Sequence, residues 1–162
     1  MKEKARTFAI ERHGDQKYGA EPYSLHLDEV AKIASEYGND AVVIAYLHDV
    51  VEDTSTTLEE IESHFGLQIS QCVGILTDEP GANRKERKSK TYNKMANVTG
   101  ELELALIVKA ADRLANLRAC VAQKNIRLLE MYKKEHPIFK KSVYRANLCE
   151  PLWQEMQGIV NA

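Results

Sequence analysis

The sequence has little cysteine, proline or glycine, no excess of either charge and no long hydrophobic run. Its 162 residues include 3 Cys, 4 Pro and 8 Gly, and 22 Lys and Arg are balanced by 24 Asp and Glu. The chain therefore lacks the overall positive charge that drives non-specific nucleic-acid binding. Its longest apolar run, Ala41 to Leu47, is far shorter than the roughly 20 residues that span a membrane. The charged N-terminus does not read as a signal peptide, so we expect a cytoplasmic protein that binds neither nucleic acid nor membrane.

The scarce cysteines predict no disulfide framework and no cysteine-based metal site. Cys72, Cys120 and Cys149 are scattered and form no Cys-x-x-Cys pair. An odd, dispersed set favours reduced thiols that pack in the core as small hydrophobic residues. A content of 44% apolar and 28% charged residues is typical of a folded globular chain. We expect one domain over residues 1–162.

Apolar residues recur at helical spacing, and strand-like alternation is nearly absent, which predicts an all-α fold. Glycines at 14, 38 and 66 mark helix ends, and Thr56 or Thr57 is a candidate N-cap. The predicted helices cover residues 3–13, 24–37, 41–51, 58–65, 67–76, 84–96, 101–118, 124–135 and 137–161, the last of them broken near Pro151.

The two most apolar helices, 41–51 and 101–118, also carry or adjoin conspicuous charge. Helices this apolar are expected to pack deep in the fold, and a buried carboxylate without a partner costs several kcal/mol. Two explanations stay open: ion pairs with Lys109, Arg113 or Arg118, or a metal ion bound by histidine and aspartate together. The polar residues concerned are His48, Asp49, Glu52 and Asp53 at the end of the first helix, with His26 as a further donor, and Lys109, Asp112, Arg113 and Asn116 within an arc of about 100° on the second.

Four motifs spread over roughly residues 5–120 resemble a known family. They are Gly19-Ala20-Glu21-Pro22-Tyr23 before His26, Tyr46-Leu47-His48-Asp49-Val50-Val51-Glu52-Asp53-Thr54, Thr57-Leu58-Glu59-Glu60-Ile61 with Phe65-Gly66, and Ala111-Asp112-Arg113-Leu114-Ala115-Asn116-Leu117-Arg118. The chain resembles the HD-domain metal phosphohydrolases and, more narrowly, the stand-alone (p)ppGpp 3′-pyrophosphohydrolases of the RelA/SpoT group. This resemblance implies an all-helical HD-domain bundle that binds one divalent ion, commonly Mn²⁺, through His26, His48, Asp49 and Asp112.

The resemblance also implies roles in catalysis and substrate binding. Glu52 and Asp53 would orient or deprotonate the attacking water, and Asn116 would hydrogen-bond the ribose of a nucleotide. Tyr18, a departure from the family, is a candidate for stacking on the base or covering the pocket, with plain packing as the alternative. The substrate's phosphates require cations, for which the candidates are Lys17, Lys109, Arg113 and, from the basic run 84–90, Arg87.

The sequence departs from the family mainly around the expected nucleotide pocket. Lys17-Tyr18 stands where an Arg-Lys pair is usual, Leu27 follows the expected metal histidine where proline is usual, and Ala115 replaces a common histidine or tyrosine. The expected metal ligands are all present. The departures therefore alter the pocket and leave the metal site intact.

The resulting hypothesis is hydrolysis of the 3′-pyrophosphate of guanosine tetra- or pentaphosphate, the alarmone of the stringent response, to GDP or GTP and pyrophosphate. A second hypothesis keeps the site and changes the substrate to a nucleoside monophosphate or the 2′-phosphate of NADPH. A third is a catalytically silent module that binds an alarmone. The oligomeric state is left open, with a homodimer among the options.

Overall fold

Helix-stop glycines and capping residues place most helix ends within a few residues of the predicted bounds. The computed structural model describes residues Met1–Ala162, and it confirms the all-α class. No helix combines the length and apolarity needed to cross a membrane. The helices are α1 (Lys2–His13), α2 (Tyr23–Ala34), α3 (Asn39–Leu47), α4 (Val50–Asp53), α5 (Leu58–Phe65), α6 (Leu67–Leu76), α7 (Arg84–Ala96), α8 (Leu104–Ala122), α9 (Ile126–Val143) and α10 (Glu150–Asn161), with one antiparallel hairpin of β1 (Lys17–Tyr18) and β2 (Glu21–Pro22).

The apolar helices α3 and α8 form the centre of the core, as their composition predicts. Helix α3 packs against α1, α2, α6 and α8, and α8 packs against α2, α9 and α10 as well. Both belong to a single cluster of buried apolar side chains. The three cysteines are buried and unpaired, which confirms the prediction of core thiols. Any polar side chain on the inner face of α3 or α8 is therefore removed from solvent.

The predicted helix over 41–51 is wrong at its C-terminal end. Helix α3 ends at Leu47, His48 and Asp49 form a turn, and α4 begins at Val50. The backbone at Asp49, with φ −108° and ψ −1°, departs from helical values. Adjacent residues on a regular helix point about 100° apart. The turn lets the His48 and Asp49 side chains approach each other, with His48 Nε2 3.0 Å from Asp49 Oδ2.

The predicted helix boundary at 135–137 is also wrong. Helix α9 continues through Pro137 to Val143, and the chain breaks at residues 144–149 instead. Pro137 is exposed on the helix surface, while Phe139 and Val143 on the same helix stay buried in the core. Pro151 lies in the first turn of α10, where a missing N–H costs nothing.

The start of α5 gives a test of local stability. Thr57 caps this helix in a reciprocal capping box, in which its hydroxyl accepts from the Glu60 backbone N–H at 3.2 Å and the Glu60 carboxylate accepts from the Thr57 N–H at 3.1 Å. We expect Thr57→Ala to lower the free energy of unfolding by about 1 kcal/mol, measured by urea denaturation. Ser55→Ala, at an exposed residue two positions earlier, is the control, and equal stabilities of the two variants would contradict the cap.

Candidate metal centre

Four side chains from two helices and one turn converge where α3 ends. His26 comes from α2, His48 and Asp49 from the turn after α3, and Asp112 from the middle of α8. The donor atoms of His26, His48 and Asp49 lie within 4.8 Å of one another. Asp112 Oδ1 lies 3.0 Å from His26 Nε2 and 3.4 Å from His48 Nε2. The structure therefore brings together all four side chains that the sequence suggested as metal ligands.

Ion pairing does not account for the two aspartates. Arg113 pairs with Glu135, at 2.6 Å between Nη2 and Oε1, and Arg118 pairs with Glu155. Lys109 is the remaining candidate, and its Nζ lies 3.5 Å from Asp112 Oδ2. Asp49 forms no ion pair with lysine or arginine. Of the two explanations that the sequence left open, simple ion pairing is therefore insufficient.

The two ring nitrogens of His48 have different surroundings. His48 Nδ1 lies 2.6 Å from the carbonyl oxygen of Ala45, so Nδ1 carries a proton, and Nε2 presents a lone pair whenever the ring is neutral. Nε2 is buried and has no hydrogen-bond partner, yet it faces the carboxylates of Asp49 and Asp112. Burial lowers the pKa of His48, but the two carboxylates raise it well above its ordinary value.

The cluster thus needs a positive charge, which either a proton on His48 or a bound cation supplies. Two imidazoles and two carboxylates form a mixed nitrogen and oxygen donor set that divalent transition metals accept. The buried, unpartnered Nε2 of His48 is the arrangement expected of a ligand whose tautomer is fixed by a hydrogen bond to the backbone. The residues present therefore fit a divalent ion.

A layer of polar and aromatic contacts orients these four groups. The Tyr23 hydroxyl donates to Asp49 Oδ2. The Tyr18 hydroxyl donates to Asn116 Oδ1 at 2.7 Å, and Asn116 Nδ2 lies 3.3 Å from Asp112 Oδ1. The Tyr18 ring also stacks on the ring of His26, with centroids 4.6 Å apart and planes at 10°. Sequence reasoning missed Tyr23, although its place in the Pro22-Tyr23 motif was the available signal.

A cavity of about 140 Å³ is lined by three of the four groups, His26, Asp49 and Asp112, and its walls are rich in cations. Four of the residues suggested for substrate binding line it: Tyr18, Lys109, Arg113 and Asn116. Arg113 Nη1 is buried there without a hydrogen-bond partner. Such a wall favours an anionic group above the cluster.

Two suggested substrate residues, Lys17 and Arg87, do not line the cavity. Lys17 is exposed on β1, and the Arg87 side chain lies against Gly81. Arg84 and Lys88 line the cavity instead, because residues four apart share one face of a helix. The basic run was informative, but its sequence alone did not show which face of α7 turns inward.

Glu52 and Asp53 are held by different parts of the chain. Glu52 lines the cavity, and its Oε1 accepts from the Asp78 backbone N–H at 2.8 Å. Asp53 does not line the cavity, and its Oδ2 accepts from Gln16 Nε2 at 2.9 Å, with Gln16 Oε1 in turn 2.8 Å from His13 Nδ1. Burial raises the pKa of both carboxyls. Sequence reasoning missed Gln16, since a lone glutamine in a turn carries no pattern.

This helical fold, with paired histidines and aspartates at the base of a cationic cavity, defines an HD-type metal site. The model of the HD domain family matches residues 5–141. The chain belongs to the HD domain family.

Comparison with individual proteins shows which members of the HD domain family this chain is similar to. The chain is 32% identical over 146 residues to a guanosine-3′,5′-bis(diphosphate) 3′-pyrophosphohydrolase of Aquifex aeolicus, covering 88% of this chain but only 21% of that relative. It is 40% identical over 121 residues to the 3′-pyrophosphohydrolase MESH1 of Xenopus tropicalis, covering 70% of this chain and 66% of that one. A solved metazoan ortholog of SpoT shares the fold, with a TM-score of 0.83 at 24% identity over 99% of this chain and 93% of that chain.

The converging donors generate a test of the metal site. We expect the purified protein to contain one divalent ion per chain and Asp112→Ala to contain little, because its carboxylate faces both histidines. Metal content is measured by elemental mass spectrometry. A chelator should lower the unfolding temperature of the unsubstituted protein only, since a ligand that binds the folded state stabilises it.

His64→Gln is the control for this experiment, because His64 is exposed and outside the cluster. It should retain the ion. An unchanged metal content in Asp112→Ala would show that the four side chains are not a ligand set.

Proposed function

We propose that the chain is a Mn²⁺-dependent hydrolase that removes the 3′-pyrophosphate of guanosine 3′,5′-bis(diphosphate), giving GDP and pyrophosphate. One observation carries this proposal: the donors of His26, His48, Asp49 and Asp112 meet at the base of a cavity walled by Arg84, Lys88, Lys109 and Arg113. Relatives at 32–40% identity bear the corresponding name, which favours this substrate among phosphate esters. The cytoplasm is the proposed location.

The four donors would bind the divalent ion, which when bound supplies Lewis acidity for activating water and neutralising phosphate charge. Glu52 lines the cavity, and the raised pKa of its carboxyl suits the removal of a proton from water. The water oxygen bonds to the phosphorus nearest the ribose, the bond from that phosphorus to O3′ breaks, and O3′ accepts a proton. Asp53, positioned by Gln16, lies next to Glu52 as the second carboxyl for these proton transfers.

The cationic wall would bind and orient the pyrophosphate. Arg113 is fixed on one side by Glu135 and stacks over Phe139, 4.1 Å from the ring centroid, while its Nη1 stays unpartnered. Burial and the neighbouring charge of Lys109 lower the pKa of Lys88, and its 2.8 Å ion pair with Asp78 opposes that shift. Because these cations are already in place, little reorganisation is needed as charge develops on the phosphate.

The nucleoside requires room outside this small cavity, since sites for small organic ligands span roughly 300–1,000 Å³. An adjoining hollow of about 250 Å³ shares Tyr18, Asn116 and Tyr132 with the cavity and continues along Gln123 and Leu128. A nucleoside there would extend from Asn116 over the Tyr18 ring. The bond between Tyr18 and Asn116 would have to open for the ribose to reach the amide.

The decisive experiment is a substrate panel assayed with Mn²⁺, with and without chelator, in which pyrophosphate and orthophosphate are measured separately. We expect pyrophosphate from the guanosine tetraphosphate, with loss of activity in chelator. Orthophosphate from nucleoside monophosphates or from NADPH would assign the site to another ester. Binding of the tetraphosphate without turnover of any substrate would indicate an alarmone-binding module.

The carboxyls give a sharper test of mechanism. We expect Glu52→Gln to reduce kcat by about 10²–10⁴-fold, the usual contribution of a positioned acid or base, with metal content unchanged. Glu59→Gln, at an exposed carboxyl on α5, should leave kcat unaffected. Equal kcat values for Glu52→Gln and the unsubstituted protein would remove Glu52 from the reaction.

Gln16 is expected to act through Asp53 as a positioning residue. Gln16→Leu removes a hydrogen bond to a charged group, worth about 1.5–3 kcal/mol, so we expect kcat to fall about 10- to 100-fold. KM and metal content should change little, because Gln16 does not line the cavity. A fall in kcat in Gln16→Leu that persists when Asp53→Asn is already present would show that the two residues act independently.

A further inference from the structure

Half of the chain's 22 Lys and Arg residues lie on two neighbouring helices. Six are in α7 and five in α9, against one acidic residue in α7 and two in α9. The two helices pack side by side. The net charge of the chain is −2, yet these two helices together carry a large excess of positive charge, of which the cavity above the metal ligands uses Arg84 and Lys88.

A groove of about 760 Å³ runs between α7 and α9. This volume lies within the range of small-molecule binding sites and is several times that of the catalytic cavity. Arg84 and Lys88 line both hollows, so one end of the groove opens beside the catalytic cavity. The other end lies near Ala96, whose carbonyl accepts from Arg145 at 3.2 Å.

The lining of the groove changes along its length. The end next to the cavity carries Arg84, Lys85 and Lys88. Farther along, the walls combine apolar surface from Ala96 and Ile138, the latter 62% exposed, with polar groups. Those polar groups are contributed by Ser89, Asn93 and Ser142. The rest of the lining is formed by Tyr92, Met131 and two charged residues, Lys141 and Glu135, the latter paired with Arg113.

Arg84 has hydrogen-bonding capacity that the protein does not use. Its Nη2 is 3.3 and 3.4 Å from the two oxygens of Glu135, which are long contacts for a charged pair. Glu135 is already bound by Arg113 at 2.6 Å and by the Tyr92 hydroxyl. Arg84 Nε is buried and has no partner. The Arg84 side chain is 41% exposed, so the accessible part of its guanidinium can bind an anion while Glu135 keeps Arg113 and Tyr92 as partners.

We propose that the groove between α7 and α9 is a second, non-catalytic binding site for a nucleoside di- or triphosphate. The phosphates lie against Arg84, Lys85 and Lys88, where charge is complementary. The base lies on the apolar wall at Ala96 and Ile138, with Asn93 and the serines available to its polar edge. A simple phosphate would leave that wall bare, whereas a nucleotide covers both parts of the groove.

The experiment measures binding of GDP to the Mn²⁺-loaded protein by isothermal titration calorimetry. We expect two GDP molecules per chain, one at the catalytic cavity and one in the groove. Lys85→Glu should weaken the groove event about tenfold or more, because it replaces a cation that contacts phosphate with an anion. Lys85 is exposed and does not line the cavity, so the other event should persist.

Two further variants distinguish the cavity from the groove and test whether GDP binding depends on the position of the positive charge. Lys134→Glu makes the same charge change at an exposed position of α9 outside the groove, and it should leave GDP affinity within about twofold of the unsubstituted value. Asn116→Ala should weaken the cavity event and spare the groove event. Inorganic pyrophosphate should bind the groove more weakly than GDP, since it has no base to cover the apolar wall.

Three results would overturn the proposal. One is a single GDP event that Asn116→Ala abolishes and Lys85→Glu leaves intact. Another is an equal loss of affinity in Lys85→Glu and Lys134→Glu, which would indicate non-specific attraction to a basic surface. The third is pyrophosphate binding as tightly as GDP in the groove. Because the readout is binding, it is independent of whether the chain hydrolyses the guanosine tetraphosphate.

Discussion

The structure of the site depends on two aspartates that lie beside two buried histidines and whose negative charges require a balancing cation. Asp49 and Asp112 face His48 Nε2, whose other nitrogen is committed to the Ala45 carbonyl. Neither aspartate is neutralised by an arginine, because Arg113 and Arg118 are engaged by Glu135 and Glu155. A cation among these four groups resolves the repulsion that burial would otherwise make costly. The surrounding contacts, from Tyr23 to Asn116, keep the donors aimed at one point.

A second network positions the cationic wall of the cavity. Arg113 lies on α8, Tyr92 on α7 and Glu135 on α9, and the three are joined by hydrogen bonds. The carboxylate and the tyrosine fix one edge of the Arg113 guanidinium, while Phe139 lies under its face. The same carboxylate contacts Arg84 only loosely. One acidic side chain thus fixes one arginine for the catalytic cavity and leaves another available on the neighbouring groove.

The two carboxyls that we expect to act in catalysis are positioned by different segments of the chain. Glu52 and Asp53 are adjacent on α4, yet Glu52 is held by the loop that follows α6 and Asp53 by the turn that follows α1. His13 and Gln16 complete the second contact. Different anchors for adjacent carboxyls permit different roles, since one lines the cavity and the other lies beside it.

The sequence by itself determined the helical class, most helix ends and the four candidate ligands. Periodicity, caps and helix-stop glycines are local signals, and the polar residues on the apolar helices indicated a buried polar site. The full set of four ligands followed from the family resemblance. The sequence did not determine the turn at His48-Asp49, the passage of α9 through Pro137, the inward face of α7 or the partnership of Gln16 with Asp53. Those features depend on contacts between segments far apart in the chain, where packing and burial outweigh local propensity. Only the tertiary structure brings residues such as 16 and 53, or 84 and 135, within hydrogen-bonding distance.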